Sequence, residues 1–247
     1  MRTRILPGLV LMLVLSALTA AAQGPVVLYD PLVKLPDANH TAADERLVKE
    51  KLVPAVRGRW SDDDACGGAN LSIIGAADGA FTRAGAKQRA IVYELCQTGN
   101  GFANNGVAVI ENGKVVAHFA TEGGWNLEVS RVPDINRNGR DELAIETGGG
   151  MHQGYTGSSV TVLEMSETAA TELGVFLAYT NECEDHAPEK YCDRSYKLMA
   201  NPGTKPSYVS QKFLNRGTDE KPRWVASGRP AAARSIGDLN RKYELVK

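Results

Sequence analysis

Two periodicities divide this chain. Between residues 41 and 57, Leu47, Val48, Leu52 and Val56 recur on one side at helical spacing, with Lys49, Glu50, Lys51 and Arg57 off it, the pattern of an amphipathic helix. Thr41 followed three residues later by Asp44 is a capping-box start. Pro54, which has no backbone N–H to donate, marks a kink or an end. Beyond Trp60 the period shortens. Runs rich in β-branched residues, separated by Gly and Asn, predict strands at 90–96, 107–111, 114–119, 142–147, 159–164 and 173–178, with more at 196–199, 208–213 and 223–226. Asn112-Gly113 between two of them is a two-residue hairpin signal. Strand and helix do not alternate after the first helix, which argues against a doubly wound sheet. The pattern predicts a mainly β protein of antiparallel sheets with one N-terminal α-helix.

The first 22 residues follow neither period. Arg2 and Arg4 precede an almost wholly apolar run over 5–18, and Ala20-Ala21-Ala22 supplies small residues before Gln23. This is the layout of a secretory signal peptide, with an apolar run too short to span a bilayer comfortably. The expectation is export to the periplasm or the extracellular space, with no membrane span in the mature form. Residues 23–62 then form an extended segment and the helix, and 63–247 a β domain. The charge is nearly balanced, 28 Lys+Arg against 29 Asp+Glu, so a nucleic-acid partner is not expected. In an oxidising compartment the four cysteines, Cys66, Cys96, Cys183 and Cys192, suggest two disulfides. Three pairings are open; Cys66–Cys96 and Cys183–Cys192 are favoured.

A weak repeat runs through the β region. Residues 87–94, a Gly/Asn stretch and 106–111 are echoed about fifty residues later by 140–146, a Gly-rich stretch and 159–164, a period that suits a propeller blade or a related four-stranded unit. The repeats are placed at about 81–119 and 132–178, with a C-terminal β segment after them.

The most informative stretch is 134–143. Asp134, Asn136 and Asn138 put oxygens at positions 1, 3 and 5 of a loop. Gly139 permits a sharp turn at position 6, Arg140 offers a carbonyl at 7, and Glu142 a carboxylate at 9. Hard oxygen donors on a tightly curled loop are what Ca²⁺ requires. The loop is not an EF-hand, because Ile145 stands where that motif needs a bidentate Glu. Over 132–166 the chain resembles the calcium loop of FG-GAP/VCBS-type repeats, found in integrin-like and bacterial extracellular β-propellers, and 81–119 resembles a second copy lacking the loop. The resemblance implies blade-like repeats, and implies Asp134, Asn136, Asn138, the Arg140 carbonyl and Glu142 as calcium ligands. Two of these are amides, so weak binding is expected, on the order of 10⁻⁴–10⁻³ M, with Asp141 a nearby carboxylate to hold the ligands in place.

Catalytic signatures are missing. No G-x-S-x-G elbow occurs, the four histidines lack zinc spacing, and the glycine run 148–150 lacks a P-loop ending. His118 reads as a sheet residue. Trp125, His152 and Tyr155, beside glycine-rich connections, form a candidate ligand surface. The expected function is therefore an exported, calcium-binding β-repeat module that binds an unknown protein or carbohydrate or plays a structural part. The alternative is a periplasmic or secreted hydrolase with a site near His152 and Tyr155.

Overall fold

The capping box closes as its spacing predicts. In the computed structural model, which describes residues 24–33, 39–59, 71–99, 101–152, 155–181, 193–218, 221–237 and 242–247, the Thr41 N–H donates to Asp44 Oδ2 at 2.7 Å. The Asp44 N–H returns a bond to the Thr41 hydroxyl at 3.2 Å. α1 (Ala42–Leu47) continues through a π-helical turn, Val48–Leu52, into α2 (Val53–Val56). Pro54 explains both the widening and the stop. It leaves the carbonyl one turn back without a donor and crowds it, so the preceding turn opens and the Val53 N–H reaches the Val48 carbonyl. The residues proposed as a signal peptide, and Cys66, Cys183 and Cys192, lie outside the described residues. Cys96 is fully buried and disulfide-bonded.

The strands form two antiparallel sheets, so the protein is mainly β with one N-terminal helical segment. In the first sheet β2 (Ser72–Gly79), β3 (Gln88–Gly99), β4 (Phe102–Glu111) and β5 (Lys114–Gly123) make an up-and-down meander, and β14 (Glu244–Leu245) pairs with β5. In the second, β6 (Trp125–Val132), β7 (Glu142–His152), β8 (Tyr155–Met165) and β9 (Ala170–Asn181) make another. It continues through β10 (Asp193–Asn201), β11 (Ser207–Asn215) and β12 (Trp224–Ala226). β1 (Val26–Tyr29) joins this sheet against β10, and β13 (Ala231–Ala232) against β11. Each predicted strand coincides with one of these. The β4–β5 turn is Asn112 and Gly113, both left-handed at φ 50° and 74°, the turn that matches the twist of a hairpin.

The repeat segments are the second and third strands of the two meanders, β3–β4 and β7–β8, each meander being a four-stranded unit of blade-like form. The two pack face to face. Phe81, Val92, Val107 and Phe119 of the first meet Leu143, Ile145, Leu163 and Met165 of the second in one buried cluster; a side chain of this size contributes about 1.5–3 kcal/mol on burial. The outer faces are covered differently. Val48, Leu52, Val53 and Val56 of the helical segment lie on Ile91, Tyr93 and Ala108 of the first sheet. The second sheet covers itself: β10 pairs with β9 only from Asp193 to Ser195. Leu198, Ala200 and Leu28 of β1 then pack on Val160, Val162 and Phe176. Among the described residues no helix is long and apolar enough to cross a membrane.

Candidate metal centre

The loop between β6 and β7 is pinned on several sides before any ligand is considered. Ile135 is fully buried with β8 and β10 residues, and its carbonyl accepts from Gly203 N–H at 2.8 Å. Asp141 bridges to the first sheet: its N–H donates to the Ala80 carbonyl at 2.9 Å, and its Oδ2 accepts from Ala80 N–H at 2.7 Å. Gly139 is required twice over. Its φ is +85°, and a Cβ there would stand 2.7 Å from the Ala84 Cβ. Arg137 also takes a left-handed φ of 62°.

Within this frame the side chains of Asp134, Asn136 and Asn138 bond back onto their own loop. Asp134 accepts from Asn138 N–H at 3.0 Å and Gly139 N–H at 2.7 Å. Asn136 Oδ1 accepts from Asn138 N–H at 3.2 Å, and Asn138 Oδ1 from Arg140 N–H at 2.8 Å. Glu142, the first residue of β7, has no exposed surface. Its Oε2 accepts from Ile135 N–H at 3.1 Å, while its Oε1 is buried with no hydrogen-bond partner. Burial, then the charges of Asp134 and Glu164, push its carboxyl up to about 8. The Tyr208 hydroxyl, likewise buried and unpartnered, is pushed up to about 12 by burial and by the charge of Glu142.

Glu164, at the end of β8, belongs to the site although it lies outside the loop. Its carboxylate accepts from the side-chain amides of Asn136, at 2.6 Å, and Asn138, and pairs with the Arg140 guanidinium at 2.9 Å. The sequence does carry a signal for it: Glu111 and Glu164 are the last residues of the two echoed runs, 106–111 and 159–164. Asp141 does not support the ligands, because its two oxygens are taken by Ala80 and by Arg131 at 3.0 Å. Among the described residues no three His, Cys, Asp or Glu side chains group closely enough to hold a metal ion. The loop's donor set differs in kind, being two carboxylates, two amides and a carbonyl.

The second candidate region lies at the glycine-rich ends of the strands. Residues 148–152 extend β7 as strand, so the run expected to be a loop is mostly ladder, and His152 and Tyr155 are backbone partners across β7–β8. Their side chains lie outside the described set. Trp125, half-buried at the start of β6, donates its indole N–H to the Phe102 carbonyl at 3.2 Å. Nearby is a cleft of about 380 Å³ lined by Phe102, Gly148, Gly149, Ser158, Leu177 and Tyr179. On the adjoining strands Glu128 and Glu146 are paired residues of β6 and β7 and so share a face. Ser158 donates to Glu146 at 2.5 Å, and burial, then Glu128, raises the Glu146 carboxyl. His118 is the sheet residue expected: it is buried, with Nε2 2.8 Å from the Tyr93 hydroxyl. Burial, aided by the Arg59 charge, lowers it to about 4.

Comparison of the chain with family models, with curated proteins and with solved structures finds no match. The site therefore stands on its own geometry.

Proposed function

We propose that this chain is an exported β module in which Ca²⁺ fixes loop 134–142, with a binding or structural role toward a protein or carbohydrate. The observation that carries the reading is Glu142. A carboxylate with no exposed surface, one oxygen unpartnered and two further acids nearby needs a positive charge. A cation on Glu142, Asp134, the amide oxygens of Asn136 and Asn138 and the Arg140 carbonyl would supply it. Ca²⁺ suits an all-oxygen, flexible set better than Mg²⁺. Exposure to extracellular calcium, as residues 1–22 lead us to expect, suits a weak site. The cleft beside Phe102 and Tyr179 is the surface we assign to the ligand, and the favoured disulfide pairings remain part of the proposal.

The rival for Glu142 is a bound proton. Thermal melts of the oxidised chain in 1 mM calcium and in excess chelator separate the two. A dissociation constant of about 0.1 mM stabilises by roughly 1.4 kcal/mol, about 3–6 °C for a domain of this size. Asp134→Ala and Glu142→Gln should each abolish that shift. No shift up to 10 mM calcium would favour the protonated acid and defeat the calcium reading.

One observation favours the hydrolase alternative. Glu146 has the raised carboxyl and the facing Glu128 that acid–base chemistry uses. Turnover of a chromogenic glycoside or ester that disappears in Glu146→Gln would establish it.

A further inference from the structure

We propose that Glu164 is the positioning residue of this calcium site, and that Asn136 and Asn138 are amides because an acid at either place would repel it. The inference rests on the calcium reading above and adds a residue from another strand. An asparagine can offer its oxygen to a cation only if something fixes which way the amide faces. Here Glu164 Oε2 accepts from the nitrogens of both amides. That turns each Oδ1 back toward the loop, where it meets the N–H groups of Asn138 and Arg140. Arg140 holds the other carboxylate oxygen, Oε1, and also donates to the Met165 carbonyl at 2.8 Å, so the Glu164 carboxylate is itself held in place. The negative charge that two loop aspartates would carry is thus moved to one glutamate behind the loop.

The first meander uses the equivalent acid without these amides. Glu111 is the last residue of β4, and Glu164 the last but one of β8. It pairs with Arg83 from the β2–β3 loop and accepts from Gln88 Nε2 at 3.0 Å. An arginine from the preceding loop on the acid at the end of the third strand is common to both copies. The two asparagines are the addition, and they occur only in the copy with a ligand set.

The test is a mutant cycle in calcium affinity, read by calcium-dependent melting of the full oxidised chain with the chelated form as baseline. By simple charge counting Asn138→Asp should tighten binding. On this proposal it weakens binding about 10-fold, as does Glu164→Gln alone, the usual scale for losing a residue that orients a ligand. The double variant Asn138→Asp/Glu164→Gln should recover to within about threefold of the parent, because the new amide donates to the new acid. A fold defect alone would not be repaired by a second substitution. Tighter binding in Asn138→Asp, or additive losses in the double variant, would overturn the role of Glu164 while leaving calcium in place. A parent chain that shows no calcium shift would overturn both.

Discussion

The two meanders solve the same local problem with different chemistry. Each has a loop between its first and second strands, a polar residue opening the second strand, and an acid closing the third. In the first, Gln88 is buried: its Oε1 accepts from Thr82 N–H at 2.9 Å, and its Nε2 donates to Thr82 Oγ1 at 2.7 Å and to Glu111 at 3.0 Å. One neutral amide satisfies the loop and the acid together. In the second, Glu142 stands at that place. Its Oε2 takes the Ile135 N–H just as Gln88 Oε1 takes that of Thr82. Its other oxygen, Oε1, is left unpartnered, whereas the Gln88 amide nitrogen is bonded to Glu111. Replacing an amide by a carboxylate leaves a buried acid that a cation or a proton has to neutralise, and the calcium proposal turns on that acid.

The largest expected effect comes from copying the second solution into the first. Gln88→Glu sets two carboxylates together beside a loop, 80–87, that has neither acid nor asparagine. With Arg83 already held by Glu111, the new acid has no cation of its own, and the change should cost about 3–5 kcal/mol, the scale of a buried charge left unpaired. Calcium should not restore the loss in a denaturant titration, and recovery in calcium would break the comparison.

Next is acid sensitivity, carried in the first meander by His118. The group is neutral when folded, with its pKa lowered from 6.5 to about 4, so protonation favours the unfolded chain. Its stabilising contribution is intact above pH 6.5 and falls away as the pH drops toward 4, by about 3 kcal/mol over that window. Urea midpoints between pH 7.5 and 4.5 should fall more steeply in the parent than in His118→Gln; parallel slopes would contradict this. The smallest effect concerns the different covers of the two sheets. Thr41→Ala removes the cap of the helix lying on the first, at a cost of about 1 kcal/mol, and should leave the calcium shift unchanged.

Sequence legibility followed locality. The helix, its cap, the Asn112-Gly113 turn and the long strands depend on neighbours within a few residues. β2 was missed because Gly75, Ala76, Ala77 and Gly79 have little β-propensity. They suit the site for their smallness, since a Cβ at Gly75 would lie 2.7 Å from Val129. β6 was missed because its sequence, WNLEVSRV, mixes polar residues into both faces, Asn126 being buried while Leu127 is half-exposed. At the site, Asp134, Asn136, Asn138 and Glu142 could be read because they share one loop. Glu164 arrives through strand pairing and could be found only by pursuing the repeat to its last residue.

The pairing of β1 with β10 also bears on how the molecule is made. Val26 lies against Ala200 and Val27 against Met199, and at the other end Glu244 lies against Ala120. β1 precedes every other described strand yet pairs with one far along the chain, so it is among the last that can dock. Such distant pairings delay folding, because a long stretch of chain must be brought together before either end is rewarded. The two meanders, each built from neighbouring strands, should therefore form first, and the edge that β1 completes should close late.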